Sequence, residues 1–482
     1  MGRKEYDAIV VGSGPNGLAA AILLRQQGLS VLLIEGKKET GGGLSSRECT
    51  LPGFIHDSCS AIHPLAAGSP YFSRLPLKEH GLQFIYPRID AAHPFDDGLA
   101  AIFKRSVEET ACELGDPAYT TLMQPIVEDW PRIVSDVLAP LHIPQHPEAM
   151  IRFGLRGLRS ARQTVKRFST KESRGFWAGM CAHSMLSFNQ RAVSAVALVL
   201  LAAGHTGGWP IVAGGSGSMA RALTAYFISI GGRLETGFYI RALDQLPTSH
   251  AVLLDVTPRQ LLTIAGYRFS SYYKQQLEKY RYGMGVFKID WALDGPIPFT
   301  ADPCRQAGTV HLGNTFEEID AAEQMVWNGQ HPDRPFVILA QQSLFDQSRA
   351  PAGKHTGWAY CHVPNGSVLN MKDAIEQQVE RFAPGFRERI LATHTTNTAQ
   401  MEAENPNYIG GDINGGVLDL NQLFTRPALR FSPYRTSAKG IYICSSSTPP
   451  GGGVHGMCGY HAARRVLKDL FHVQKPRTGN FS

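Results

Sequence analysis

Glycines near the start of the chain have the spacing of a dinucleotide-binding turn. Gly12, Gly14 and Gly17 form a GxGxxG pattern directly after the apolar run 6–11, and Glu35 ends the next apolar run. In such a turn the first glycine permits the tight bend, the second lets backbone approach a pyrophosphate, and the third lets the helix pack closely. An acidic residue about twenty positions further on accepts hydrogen bonds from ribose hydroxyls. These four residues predict a site for a dinucleotide.

The elements around the glycines are the ones such a site requires. The run 6–11 predicts a first strand, the apolar segment after Gly17 predicts a helix ending at Gly28, and LSVLLIE predicts a second strand. The helix N-terminus offers N–H groups to an anion, so Pro15 and Asn16 in its first turn belong to the expected site. This βαβ unit indicates an α/β fold of the Rossmann type.

A second glycine cluster favours FAD over NAD. The residues 41–43 are all glycine and would let another loop approach the same diphosphate, which a simple NAD domain does not need. The arrangement resembles the extended FAD fingerprint of two-dinucleotide-binding-domain flavoproteins. Many of these have arginine after the glycine pair, where this chain has glycine and leucine. The expected FAD contacts from this region are Gly36, Gly42, Gly43 and Leu44.

A third glycine-rich segment lies near the end of the chain. A predicted strand at 440–443 leads into a turn and then a helix that places its apolar residues on one face. The segment is similar to the C-terminal signature of phytoene dehydrogenase-like proteins, the carotenoid desaturase and isomerase branch of the amine-oxidase flavoprotein superfamily. The matching residues are Thr448, Pro450, Gly451, Gly452, Gly453, Val454 and Gly456.

Further stretches carry the same resemblance. The segments 51–57, 61–64 and 410–415 are similar to the family's sequence after the first glycines and before the C-terminal signature. The family also includes the branch of pyridine nucleotide-disulphide oxidoreductase domain-containing protein 2. The resemblance implies FAD, with Tyr239 and Ile240 presenting backbone to the adenine. We assume that the FAD is non-covalent, because no local feature singles out a histidine or cysteine for covalent attachment. It also implies that the C-terminal signature runs beside the flavin ring, with Ser446, Gly453 and Val454 as contacts.

The same resemblance implies a division of the chain. A discontinuous Rossmann-type FAD-binding domain is expected from 1–75, 205–270 and 435–482. A mixed α+β substrate domain, inserted into it, is expected from 76–204 and 271–434. The implied activity is that of an FAD-dependent oxidoreductase acting on a bulky apolar substrate. Oxidation of an amine, and a flavin-containing binding protein without turnover, are the alternatives.

Histidines and tyrosines near the C-terminal glycines are the candidates for moving a proton during flavin chemistry. His455 directly follows the glycine–valine pair expected beside the ring, and Tyr460 and His461 lie in the following helix. A histidine that only hydrogen-bonds the turn is the structural alternative. Weaker candidates are His311, Tyr360 and His362. The sequence contains no hydrolase Gly-x-Ser-x-Gly elbow, no CxxC pair among its eight cysteines and no metal-ligand spacing.

Two segments in the middle allow a second interpretation. The GxGxxA pattern at 215–220 is interpreted as the start of a helix returning to the FAD domain, and a second nucleotide site is the alternative. The stretch 152–174 contains eight basic residues and one acid, interleaved with apolar residues. A basic amphipathic helix of this kind can lie on an anionic membrane surface, whereas a solvated helix face or a subunit contact would look the same in sequence.

The composition narrows the classes of protein to which the chain could belong. The chain has 482 residues, 43% hydrophobic residues and a net charge of +6, as expected for a globular protein of two or three units. No nucleic-acid module is present, so no nucleic-acid partner is expected. The first strand follows the N-terminus closely, and the longest apolar run, 192–203, is shorter than a bilayer span of roughly 20 residues. We expect a cytoplasmic protein, with membrane association and oligomerisation left open.

Overall fold

The computed structural model describes residues 5–474, and two sheets organise this part of the chain. The strands are β1 (Tyr6–Val11), β2 (Val31–Ile34), β3 (Ser46–Glu48), β4 (Ile55–Asp57), β5 (Phe84–Ile85), β6 (Ile89–Pro94), β7 (Ala100–Phe103), β8 (Ile211–Val212), β9 (Arg233–Glu235), β10 (Ser249–Leu254), β11 (Gly285–Leu293), β12 (Ala307–Leu312), β13 (Val337–Ala340), β14 (His355–Val363), β15 (Ile390–Thr396) and β16 (Ile441–Ile443).

Helices cover these sheets. They are α1 (Pro15–Gln26), α2 (Pro64–Ala67), α3 (Val107–Leu114), α4 (Pro117–Val137), α5 (Pro147–Gly157), α6 (Ala161–Thr164), α7 (Lys171–Ala182), α8 (Val193–Gly207), α9 (Ser216–Ser229), α10 (Pro258–Ala265), α11 (Ser271–Glu278), α12 (Phe316–Trp327), α13 (Lys372–Phe382), α14 (Thr398–Glu404), α15 (Leu420–Leu423) and α16 (Met457–Leu470).

The first sheet is parallel and has the order β16-β10-β1-β2-β9. Its central strands read as continuous runs of valine, isoleucine and leucine, because both faces of a parallel sheet are covered. One face packs against α1, α9 and α16, and the other packs against α10 and α11. The five strands come from 1–75, 205–270 and 435–482, the three segments predicted to form the FAD-binding part. The α/β fold with a Rossmann-type βαβ unit is confirmed.

The second sheet is mixed and has the order β15-β11-β14-β13-β12-β6-β7. All of its strands come from 76–204 and 271–434. Alternate side chains of its central strands face opposite ways, because the side-chain period of a strand is two. Ile338 and Trp358 pack with the helical layer of α4, α7 and α8, whereas Val337 and Ala359 pack on the face covered by α13. The helical layer and the sheet enclose the space described below.

The structure favours the helix-start interpretation of the GxGxxA pattern. The N–H of Ser216, at the start of α9, donates to Asp57 Oδ1 at 2.7 Å, and Gly217 N–H donates to Ser46 Oγ at 3.0 Å. Asp57 is itself buried and ion-paired with Arg349 at 2.8 Å. The anion at this helix N-terminus is therefore a carboxylate of the protein, which leaves no place for a nucleotide phosphate.

The basic stretch 152–174 is not one amphipathic helix, which corrects that expectation. It is divided among α5, α6 and the start of α7, because Ser160 forms a capping box that begins a new helix. Phe153 and Phe168 are buried in the helical core whereas Leu155 and Leu158 are exposed, so the apolar residues of the stretch do not share one face. Among residues 5–474, no helix combines the length and the apolar character needed to cross a bilayer.

Candidate functional site

A cavity of about 530 Å³ extends from the carboxyl ends of the first sheet to the face of the second. Ligand sites in proteins commonly measure about 300–1,000 Å³. The predicted cofactor residues that line it are Gly12, Gly14, Pro15, Asn16, Glu35, Gly36, Gly42, Gly43, Tyr239, Ile240, Ser446, Gly453 and Val454. The other two predicted residues, Gly17 and Leu44, are buried and are not part of the lining.

The first glycine turn is shaped by close contact between its backbone and α1. Gly12 has a φ of +98°, a conformation that favours glycine. A Cβ on Gly17 would lie 1.9 Å from the carbonyl oxygen of Gly12, so only glycine allows the helix to begin this close to the strand. The N-terminus of α1, with its Gly14 cap, consequently opens onto the cavity.

The second glycine cluster lies directly against the first turn. Gly42 has a φ of +57°, and a Cβ there would lie 3.1 Å from Gly14 Cα. A Cβ on Gly43 would lie 2.6 Å from the hydroxyl oxygen of Tyr408. The two glycine turns therefore meet at the cavity wall, next to the N-terminus of α1. This is a cradle that fits the diphosphate of a dinucleotide.

Glu35 is fixed at the end of β2 by hydrogen bonds from its neighbours. Its Oε2 accepts from Ser13 N and Oγ at 2.9 and 2.6 Å, and its Oε1 accepts from Lys37 N at 2.9 Å. Beside it, the ring of Tyr239 packs on Gly36, where a Cβ would lie 2.9 Å from Tyr239 Cδ2. The carboxylate is held at the cavity wall, at the position where an acidic residue of such a βαβ unit commonly accepts hydrogen bonds from ribose.

Asp255 is a buried carboxylate that sequence reasoning missed. It follows β10 and lines the cavity beneath the first glycine turn, and its Oδ2 accepts from Gly17 N at 3.0 Å. Burial raises the pKa of Asp255 to about 7, although the Gly17 hydrogen bond acts in the opposite direction. The available signal was an acid directly after an apolar strand, at the sheet edge where ligands bind.

The C-terminal segment reaches the cavity because α16 packs very closely on α1. A Cβ on Gly459 would lie 1.7 Å from the carbonyl oxygen of Asn16, at the start of α1. Gly456, with a φ of +69°, precedes α16 and turns the chain into it. This packing brings Gly453 and Val454 to the cavity wall, where a Cβ on Gly453 would lie 3.1 Å from Leu65 Cδ1.

The proposed catalytic residues of the C-terminal segment do not line the cavity, which corrects that hypothesis. His455 is buried, and its Nδ1 accepts from Met457 N at 3.0 Å, so it caps the start of α16. Burial lowers its pKa to about 4. Tyr460 packs on Tyr71 with 4.8 Å between ring centroids, and His461 Nε2 donates to the carbonyl oxygen of Leu138 at 3.1 Å. All three have structural contacts on the helix side of the turn.

The far end of the cavity lies between the helical layer and the second sheet, and it is mainly apolar. Its lining there includes Ile62, Leu65, Leu200, Trp209, Ile338 and Trp358. Three carboxylates line the cavity, and none belongs to this end. Glu35 and Asp255 lie at the glycine turns, and Glu404 is ion-paired with Arg47.

Polar side chains also line the cavity at its apolar end, among them Tyr360 and His183. Tyr360 lines the cavity, and burial raises the pKa of its phenol. His183, at the end of α7, also lines it, and its Nε2 lies 2.9 Å from His311 Nε2. Burial lowers the pKa of His183 to about 3, so it is neutral. His362 is instead turned away and bonded to Glu323.

These positions revise the weaker candidates. Tyr360 lines the cavity. His311 does not line it, but is hydrogen-bonded to His183, which does. His183 itself was missed, because the sequence around it carries no motif.

Comparisons with known proteins agree with this geometry. The family of NAD(P)-binding Rossmann-like domains matches residues 10–75, which contain the end of β1, the glycine turn, α1 and β2. Pyridine nucleotide-disulfide oxidoreductase domain-containing protein 2 of Rattus norvegicus is 24% identical over 97% of this chain and 94% of its own length. An oxidoreductase from Methanosarcina mazei aligns with a TM-score of 0.63 and 17% identity, covering 96% of this chain and 100% of its own.

A putrescine oxidase redesigned in its cofactor binding aligns with a TM-score of 0.61 and 17% identity, covering 96% of this chain and 98% of its own. The chain has an amine-oxidase-like fold. In this chain the Rossmann-like domain and the second sheet share one cavity. The resemblance to the phytoene dehydrogenase-like branch is a finer assignment and stays a prediction.

Proposed function

We propose that the protein is an FAD-dependent oxidoreductase that moves a hydride between a bulky apolar substrate and non-covalently bound FAD. One observation carries the proposal. A single cavity is lined at one end by the two glycine turns and Glu35, and at the other end by apolar and aromatic side chains. Gly453 and Val454 lie on the wall of this same cavity. A cofactor held at the first end would therefore meet a substrate held at the second.

The residues present fit FAD. Glu35 would accept hydrogen bonds from the adenosine ribose, and the backbone at Gly14 and Gly42 would face the diphosphate. Ser446 and Val454 would border the ring system. When bound, FAD supplies the centre that takes up or gives a hydride, and the protein contributes position and environment.

The character of the apolar end supports a neutral substrate. In the described part of the chain, no carboxylate lines this end, so a cationic amine would be desolvated there without a counter-charge. Trp358 and Ile338 instead offer area to an isoprenoid or polyene chain. His183 is neutral and hydrogen-bonded to His311, so it adds no charge to this end of the cavity.

The fold is also compatible with the two alternatives, an amine oxidase and a flavin-binding protein without turnover. A flavin amine oxidase shares the architecture, and its substrate would enter the same cavity. A flavin-containing binding protein would hold FAD but show no turnover. The acid-free apolar end favours the apolar substrate over the amine.

We also propose that the surface formed by Ile151, Leu155 and Leu158 contacts an anionic membrane. These three apolar side chains are exposed, and Arg156 and Arg159 are their neighbours in sequence. The helix α5, which carries Ile151 and Leu155 and ends just before Leu158, packs on α8, which supplies Leu200 to the cavity. Basic and apolar residues on one exposed surface suit a peripheral contact with acidic lipids.

Co-sedimentation with vesicles containing phosphatidylserine tests the membrane contact. We expect binding that weakens when Leu155 and Leu158 are both changed to Ser, and that weakens again at high salt. A matched control is Tyr267→Ser with Tyr272→Ser, which changes exposed aromatic residues on a different surface. Equal binding of the leucine variant and the control would contradict the contact.

The substrate proposal is tested by anaerobic mixing of the FAD-loaded protein with carotenoids, retinoids and amines. We expect bleaching of the flavin by an apolar compound. Leu200→Glu would place a carboxylate in the apolar end and should slow that bleaching, while Val196→Glu, one turn earlier on the same helix and outside the cavity lining, should not. Bleaching by amines alone would contradict the apolar substrate, and no bleaching by any compound would favour the protein without turnover.

A further inference from the structure

A second cluster of reactive side chains lies outside the cavity, where the β3–β4 hairpin meets the second sheet. Cys49 follows β3, His56 lies on β4, Asp290 lies on β11 and His394 lies on β15. Asp290 and His394 are direct cross-strand partners. We propose that Cys49, Asp290 and His394 bind a Zn²⁺ ion, with His56 as the fourth ligand.

The ligand atoms are already gathered. One atom each from Cys49, Asp290 and His394 lies within 4.8 Å of the others. His56 Nδ1 lies 3.6 Å from Asp290 Oδ1. Zinc–ligand bonds of about 2.0–2.3 Å in a tetrahedral site place ligand atoms roughly 3–4 Å apart. Binding by Cys49, Asp290 and His394 therefore requires only a small contraction of these side chains, and His56 completes the set by moving from Asp290 towards the other two.

Three of these atoms are buried without a hydrogen-bond partner among the described residues. They are His56 Nδ1, Asp290 Oδ1 and His394 Nδ1. The side chains of His56 and Asp290 are almost fully enclosed, at 1% and 3% exposed. An unpartnered buried polar atom costs about 1–3 kcal/mol, so three such atoms facing one another point to a missing common partner. A cation satisfies all three.

A hydrogen bond orients one of the proposed ligands. His56 Nε2 is hydrogen-bonded to Thr50 Oγ1 at 2.8 Å, which orients the ring and leaves Nδ1 available as a ligand.

The donor set selects the metal. A thiolate with imidazole and one carboxylate is typical of Zn²⁺, whereas Mg²⁺ and Ca²⁺ prefer oxygen ligands. Lys288 forms an ion pair with Asp290 Oδ2, which leaves Oδ1 for the metal. None of the four proposed ligands lines the cavity, so the site would be structural. It would hold β4, which carries the Asp57 that caps α9, against the second sheet.

Sequence spacing could not reveal this set. The four residues are separated by up to several hundred positions, and only the pairing of β11 with β15 and the position of the hairpin bring them together.

The test is the metal content of the full-length protein, measured by elemental mass spectrometry after purification from zinc-supplemented cells. We expect about one Zn²⁺ per chain in the wild type and in Cys112→Ser, a control that changes an exposed cysteine elsewhere. Cys49→Ser and His394→Ala should each bind zinc at least about tenfold more weakly. After chelation, Co²⁺ should give a thiolate-to-cobalt absorption band in the wild type that Cys49→Ser lacks.

A thermal-shift series keeps the result interpretable if one variant folds poorly. Added Zn²⁺ should raise the melting temperature of the chelated wild type and of Cys112→Ser but not that of His394→Ala, whose side chain is partly exposed on an edge strand. A wild type that takes up neither zinc nor cobalt would overturn the proposal. Equal zinc affinity in the wild type, Cys49→Ser and His394→Ala would do the same.

Discussion

Changing Glu35 to glutamine should weaken FAD binding strongly while leaving the shape of the side chain unchanged. The carboxylate accepts two hydrogen bonds from Ser13 and one from Lys37, and it would accept another from the ribose. Glutamine has one acceptor oxygen and one donor group, so its amide must face a donor on one side. Either an internal hydrogen bond or the ribose contact is lost.

The size of the effect follows from the loss of one charge-assisted hydrogen bond. Such a bond contributes about 1.5–3 kcal/mol, which corresponds to a Kd for FAD that rises about 10- to 150-fold. The matched control is Glu39→Gln, which makes the same change four residues away on an exposed side chain outside the cavity. Its Kd should stay within about twofold of the wild type.

The assay is titration of apoprotein with FAD, followed by flavin fluorescence or calorimetry. The melting temperature of each apoprotein should be recorded as well, because the lost internal hydrogen bond also acts on folding. A Glu35→Gln protein with wild-type FAD affinity would refute the assignment of Glu35 to the ribose. Equal loss of affinity in Glu39→Gln would attribute the effect to net charge instead.

Three other perturbations have defined outcomes. Gly459→Ala places a methyl group against the carbonyl oxygen of Asn16, so the free energy of unfolding should fall by roughly 1–3 kcal/mol or more. A thermal shift should detect this loss of stability, and the purified variant should contain little bound FAD. A wild-type melting temperature and flavin content would contradict the close helix packing. Arg349→Met leaves Asp57 buried and unpaired, and urea unfolding should detect a loss of about 3–5 kcal/mol, whereas a change below about 1 kcal/mol would be inconsistent with that pair. Burial lowers the pKa of His455 to about 4, so the unfolded chain binds a proton at this histidine before the folded chain does as the pH falls below about 6.5. For such a histidine the free energy of unfolding should decrease by up to roughly 1.4 kcal/mol per pH unit. Urea unfolding that is unchanged between about pH 7.5 and pH 5 would contradict this.

The parts of the site that sequence predicted are those encoded by local spacing. The glycine turn, α1 and Glu35 lie within one βαβ unit, so their spacing reports directly on their geometry. His455 shows where this kind of inference stops. It directly follows Val454 in sequence, but the side of the turn that its ring occupies is decided by the hydrogen bond from the start of α16.

The unpredicted residues depend on pairing between distant segments. Asp255 reaches the glycine turn because β10 pairs with β1, and His183 reaches the cavity because α7 packs under the second sheet. The proposed zinc ligands combine a hairpin near the start of the chain with two later strands. No local pattern records such contacts, and without aligned relatives a single sequence gives no signal for them.

The cofactor content of the purified protein is the most direct test of whether the glycine turns and the C-terminal segment share one FAD. We predict a yellow protein with a flavin absorption spectrum and about one FAD per chain, released intact by denaturation because no covalent bond holds it. Cleavage of the released flavin by phosphodiesterase would distinguish FAD from FMN. A colourless protein that remains colourless after incubation with excess FAD would contradict the proposed function.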